Sequence, residues 1–187
     1  MPWDDHTDFF VTRKRPRRLT PRECARLMGF KRADVEGFIK FSLSVQNRRK
    51  SRARSALEHH LSAIFTSRRL KFERGAKTEN NNKPDFLFPG AKEYGSPAFS
   101  GKRLIMLGAK STCKDRWRQV LSEANRIKTK HLLTLEPGIS ENQTSEMQAK
   151  LLQLVLPKKL HETFKPAQRR KLMELKDFVA LVRKSQS

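Results

Sequence analysis

Apolar and polar residues alternate along this chain in a way that divides it into short elements. From Ser51 onward, Ala53, Ala56, Leu57, Leu61, Ile64 and Phe65 recur at spacings of three and four. That spacing predicts a helix with one apolar face, its other face carrying Arg52, Arg54, Glu58 and His59. Leu70 to Glu73 alternates like a short strand, and a polar loop with three consecutive asparagines follows from Gly75 to Lys83. Residues 85 to 88 read as a strand stopped by Pro89-Gly90. The run Leu104-Ile105-Met106-Leu107-Gly108-Ala109 predicts a strand buried on both faces, ending at Lys110. A charged helix is expected over residues 114 to 127, with Trp117, Val120, Leu121 and Ala124 inward. Further elements are a strand at 131 to 135, a helix at 141 to 150, a strand at 151 to 156 and an amphipathic helix at 167 to 184. The last would bury Leu172, Leu175, Phe178, Val179 and Val182. Alternating strands and helices predict the α/β class, with a central mixed β-sheet flanked by helices.

Residues 1 to 32 look different and read as a basic N-terminal extension, leaving residues 33 to 187 for the folded domain. Prolines 2, 16 and 21 interrupt the extension, and residues 13 to 18 form a dense positive block. Thr20-Pro21-Arg22-Glu23 is a plausible helix start, ending at Gly29.

Charge decides the class of partner. Lys and Arg number 41 against 19 Asp and Glu, a formal net charge of +22 in 187 residues. Such self-repulsion points to a polyanion, and nucleic acid is the first candidate because each neutralised phosphate releases counterions. No run of about 18 apolar residues exists to span a bilayer. Met1 to Asp8 lacks the apolar segment of a secretory signal, so a cytoplasmic setting is expected. Cys24 and Cys113 have no CxxC spacing and read as reduced thiols. His59-His60 belongs to no zinc-like cluster.

Hydrolysis of a phosphodiester requires a cation to offset charge, an activated water and a positive group near the phosphate. Asp85 begins a strand after Pro84, Lys110 ends the next strand, and Glu123 lies thirteen residues on. Two carboxylates with retained waters suit magnesium, and Asp85, Lys110 and Glu123 could converge on one such ion. Each residue alone has a bland reading, as a strand-start aspartate, a strand-end lysine or a solvated helix glutamate. Their combination in so basic a chain favours chemistry.

Pro84-Asp85, Ala109-Lys110 and Glu123 resemble the PD-(D/E)xK nuclease signature, in the variant whose second carboxylate lies on the next helix. Residues 47 to 52 (NRRKSR), 78 to 85 (TENNNKPD), 110 to 118 (KSTCKDRWR) and 131 to 140 (HLLTLEPGIS) resemble the catalytic C-terminal domain of EcoRII-type restriction endonucleases. That resemblance implies cleavage of double-stranded DNA at a palindromic CCWGG-like site by a homodimer. It assigns Asp85 and Glu123 to Mg²⁺, Lys110 to the attacking water, Tyr94 to the active site and Glu58 to a supporting position, and it implies a prokaryotic setting. It also assigns base reading to Lys114, Asp115 and Arg116. A basic–acidic–basic triplet at a helix start suits C·G pairs, since arginine reads guanine and an acid accepts from cytosine. Arg118, Arg48, Arg49, Lys50 and Arg52 are expected on the DNA backbone.

Residues 17 to 30 resemble the late target-recognition motif of DNA cytosine-5 methyltransferases. No Pro-Cys loop or cofactor glycine motif accompanies them, so the run reads as a remnant. A cognate cytosine methyltransferase is the expected functional partner. A different class remains open at this point, a non-catalytic DNA-binding remnant of a restriction system. A repair nuclease cutting at mispairs is a third.

Overall fold

The computed structural model describes Glu23, residues 35–113 and residues 116–187. The expected N-terminal helix and the methyltransferase-like run lie outside the described residues, apart from Glu23, which is helical. The chain divides into two units, Met1–Arg48 and Arg49–Ser187. Helix α1 runs over Val35–Ser67, well upstream of the start at Ser51 that periodicity suggests. Its first half also carries apolar residues at spacings of three and four, Val35, Phe38, Phe41 and Val45, so the helical pattern extends upstream of Ser51.

Six strands follow α1: β1 (Glu73–Arg74), β2 (Phe86–Phe88), β3 (Ile105–Lys110), β4 (Lys130–Thr134), β5 (Leu152–Leu156) and β6 (Met173–Glu174). They form one sheet in chain order, antiparallel from β1 to β3 and parallel from β3 to β6. Short helices separate them: α2 (Ala91–Gly95), α3 (Trp117–Leu121), α4 (Glu141–Ala149), α5 (Lys158–His161) and α6 (Pro166–Arg169), with α7 (Leu175–Gln186) last. The mixed α/β class expected from the alternation is what the chain adopts.

The sheet is covered on both faces. On one, Leu87, Met106, Leu132 and Leu154 meet Trp117 and Val120 of α3 and Met147 of α4. On the other, Phe86, Phe88, Leu107, Leu133 and Val155 meet Leu57, Leu61 and Phe65 of α1 and Phe178 and Val182 of α7. This explains the uninterrupted apolar run of β3: a central strand covered by helices on both sides has no polar face. Gly108 lets α3 come close, because a Cβ there would meet the two γ-methyls of Val120 at 3.0 and 3.3 Å.

Three expectations are corrected. The strand expected over residues 70 to 73 is shifted to Glu73–Arg74. The helix expected over residues 114 to 127 is five residues long, Trp117–Leu121, and gives way after Ser122. Trp117, Val120 and Ala124 are all fully buried nonetheless. Ala124 reaches its place with φ 50°, a left-handed backbone that a helix could not supply. The terminal helix spans Leu175–Gln186, with α6 and β6 before it. The stripe read there as one face is divided: Leu172 packs on the α3 side of the sheet and Leu175 on the α1 side.

His131 on β4 lies under the Phe178 ring, with centroids 5.2 Å apart. Burial lowers its pKa from 6.5 to about 4, against a raising hydrogen bond with the Met106 backbone. The imidazole is therefore neutral in the fold, while the unfolded chain protonates near 6.5. Its stabilising contribution is full above pH 6.5 and is lost as pH falls toward 4, a change of about 3 kcal/mol. Urea unfolding across that window is expected to show a shallower pH slope for His131→Leu than for the parent. Equal slopes would refute this account.

Candidate active site

Asp85 sits one residue before β2 and is buried, 6% exposed. Its position beside the end of β3 follows from the antiparallel register Phe86↔Leu107. Oδ2 accepts from the Ala109 backbone N–H at 2.7 Å and from Lys110 Nζ at 2.8 Å. Oδ1 accepts from Arg54 Nη2 at 2.9 Å. The aspartate and lysine, 25 residues apart, thus meet directly.

Glu123 approaches the same place from the turn after α3 rather than from a helix. Its Oε2 is buried without a hydrogen-bond partner. Burial raises its pKa to about 7; the Lys110 charge opposes this and the Asp85 charge adds to it, with Lys130 and Arg54 opposing more weakly. A glutamate that feels Asp85, Lys110 and Arg54 at once shares their site. A buried carboxyl oxygen without a donor, next to a second carboxylate, is an unfilled acceptor set for a hard cation. Among the described residues no group of three or more His, Cys, Asp or Glu side chains forms a metal-binding set. Asp85 and Glu123 are the two carboxylates of this place, a donor set that suits an ion keeping most of its waters.

The turn carrying Glu123 is held by residues from the asparagine-rich loop. Asn82 Nδ2 donates to the Ser122 carbonyl at 2.8 Å, and the Asn125 N–H donates to Glu79 at 3.2 Å. Buried Lys130 donates to the carbonyls of Ala124 and Ile127 at 3.1 and 3.0 Å. Tyr94, on α2, donates its hydroxyl to Glu79 at 2.7 Å and accepts from the Arg126 N–H at 3.3 Å. Burial, followed by that Glu79 bond, pushes the Tyr94 phenol up to about 12. Tyr94 is thereby fixed as a neutral hydrogen-bonding group beside the Glu123 turn. The Arg126 guanidinium donates to the carbonyls of Tyr94, Ser96 and Phe99, tying the same turn to the loop before β3.

Glu58 stands one step further out. Its two oxygens take Arg54 Nε at 2.8 Å and Arg74 Nη2 at 2.9 Å, so it reaches Asp85 only through Arg54. Arg54 stands out in the sequence only as part of the basic cluster with Arg48, Arg49, Lys50 and Arg52, expected on the DNA backbone, and residue types alone do not single out Glu79, Asn82 or Lys130. The dense run TENNNKPD was the available signal for Glu79 and Asn82; nothing local marks Lys130.

Of the residues expected to meet DNA, Lys114 and Asp115 lie outside the described residues. Arg116 is exposed at the N-cap of α3. Arg118 lies over the Trp117 ring at 4.9 Å and pairs with Glu146 at 2.9 Å. Arg48, Arg49, Lys50 and Arg52 are exposed along α1.

A model of the EcoRII C-terminal family matches residues 20–179. The type II restriction enzyme EcoRII of Escherichia coli is 48% identical over 147 residues, covering 78% of this chain and 36% of that protein. Two solved structures of metal-depleted Ecl18kI share the fold at 20% identity. The complex with uncleaved DNA has a TM-score of 0.71 and covers 89% of this chain and 56% of that one. The complex with uncleaved, modified DNA has a TM-score of 0.68 and covers 86% and 57%. The chain thus spans about a third of the length of the curated relative and a little over half of each solved chain. The α/β architecture is restriction-endonuclease-like, and with the greater part of its length matched, this chain belongs to the EcoRII C-terminal family.

Proposed function

We propose that this chain is a type II restriction endonuclease that hydrolyses double-stranded DNA at a short palindromic, CCWGG-like site with Mg²⁺. One observation carries the reading: Asp85 bonds Lys110 Nζ at 2.8 Å across neighbouring strands, and the Glu123 carboxyl feels the charge of both. Kinship with a restriction enzyme and likeness to a protein solved on DNA support it. The net charge of +22 supplies the attraction for the backbone.

Asp85 and Glu123 would hold the ion, which when bound offsets phosphate charge and makes a coordinated water more acidic. Lys110 Nζ, already bonded to Asp85 Oδ2, orients the attacking water and counters charge on the scissile phosphate. Burial raises the Glu123 pKa to about 7, and a cation held beside it would favour its ionised form. Tyr94 and Glu58 support the site from outside, through the Glu123 turn and through Arg54. Lys114, Asp115 and Arg116 read the C·G pairs, while Arg118, Arg48, Arg49, Lys50 and Arg52 contact backbone. Residues 33 to 187 form the catalytic part, and the basic extension adds further attraction.

A palindrome cut on both strands calls for a two-fold symmetric homodimer, one subunit per strand. A cytosine methyltransferase protecting the same site is the functional partner, and the cytoplasm of a prokaryote is the setting. No helix among the described residues is long and apolar enough to cross a membrane.

Digestion of DNA of known sequence with Mg²⁺, against an EDTA control, tests this directly. Discrete metal-dependent fragments whose ends map to CCWGG-like sites are expected. Retardation in a gel without cutting would replace the enzyme by a DNA-binding remnant, and cutting at mispairs alone would make it a repair nuclease.

A further inference from the structure

Arg54 is strung between two carboxylates that have very different surroundings. Through Nη2 it bonds Asp85 Oδ1 at 2.9 Å, and through Nε it bonds Glu58 Oε1 at 2.8 Å. The Asp85 side chain is 4% exposed, whereas that of Arg54 is 56% exposed. Oδ2 of Asp85 is already engaged by Lys110 and the Ala109 N–H. Oδ1 is therefore the oxygen that a further cation would approach, and Arg54 is bonded to it.

We propose that Arg54 is the resident counter-ion of Asp85, a positioning residue that competes with a divalent cation for Oδ1 and withdraws onto Glu58 when that cation binds. The inference rests on Asp85 being a metal ligand, as proposed above. A guanidinium and a divalent ion on one buried carboxylate repel each other strongly, because screening there is weak. Withdrawal costs little, since Nε keeps its bond to Glu58 and the Arg54 side chain is largely in solvent. Arg74 holds the other oxygen of Glu58 at 2.9 Å, so the acceptor that receives Arg54 stays in place. Charge-assisted hydrogen bonds to a buried carboxylate are among the stronger ones, so Arg54 is a real competitor for that oxygen.

Binding of Mn²⁺ to the DNA-free protein, followed by the paramagnetic resonance of free Mn²⁺, separates the possibilities. Arg54→Met is expected to bind Mn²⁺ about tenfold more tightly than the parent, as loss of one competing charge-assisted bond implies. Arg74→Met removes an equal charge from Glu58 without touching Asp85, and its affinity should stay within about threefold of the parent. Asp85→Ala should lose the site. Unchanged or weaker binding by Arg54→Met overturns the proposal, as does an equal gain in Arg74→Met, which would mean a general field effect. If Asp85→Ala binds Mn²⁺ like the parent, the assignment of Asp85 as metal ligand is what fails.

Discussion

Asp85→Ala is expected to reduce DNA cleavage by about a thousandfold or more while leaving binding of the DNA substrate in place. The carboxylate serves two ends at once. In the proposed site it is one of the two groups that would hold the cation, and it fixes Lys110 Nζ at 2.8 Å. Its loss frees the lysine and leaves the buried Ala109 N–H without its acceptor, an additional cost of about 1–3 kcal/mol in stability. Asp85→Asn is the cleaner variant, because an amide oxygen still accepts from Ala109 and from Lys110 but binds a hard cation poorly. Lys110→Ala should be equally inactive, with both carboxylates intact. Plasmid cleavage in Mg²⁺, run beside gel retardation in Ca²⁺, reads the two properties separately. Full cutting by either alanine variant would refute the site.

Phe65→Ala is expected to destabilise the protein by about 3–5 kcal/mol. Phe65 is fully buried in α1 and packs against four rings, Phe72, Phe86, Phe88 and Phe178, with centroids 5.2 to 6.2 Å apart. Truncation leaves a cavity bounded by β2 and α7, which the sheet cannot close by moving. The same side of the fold carries Arg54 and Glu58, so cleavage should fail at a lower temperature than in the parent. Leu181, 37% exposed on α7, offers the contrast, and its alanine variant should lose well under half as much. Denaturant unfolding measures both, and near-equal losses would show that the aromatic cluster is not the core it looks to be.

Much of the fold was legible because strong local signals coincide with buried elements. The apolar run of β3 reads as a two-sided strand, and the strand boundaries of β4 and β5 fall within a residue of where periodicity places them. The candidate site was legible for a different reason. Pro84-Asp85, Ala109-Lys110 and Glu123 are each ordinary at their positions, and what singles them out is that the runs around them resemble a known nuclease domain. Elements failed where the local pattern was satisfied in more than one way. Trp117, Val120 and Ala124 fit an extended helix, but burial of Ala124 is achieved in a left-handed turn. Leu172 and Leu175 fit one helical face, but they straddle the sheet.

By itself, then, the sequence determined the class of fold, the attraction to a polyanion and the two residues, Asp85 and Lys110, that neighbouring strands bring together. The first two follow from composition and from short-range periodicity, which act before the chain is folded; Asp85 and Lys110 are singled out by the resemblance of the runs around them, and their meeting is set by the β2–β3 register. Only the tertiary structure decided how Glu123 arrives, on a turn pinned by Asn82, Glu79 and Lys130 instead of on a helix. Only it placed Arg54 on Asp85 across 31 residues. Contacts of that kind depend on sheet register and on which face of α1 turns inward, and burial then sets their strength. No local pattern of residues carries that information.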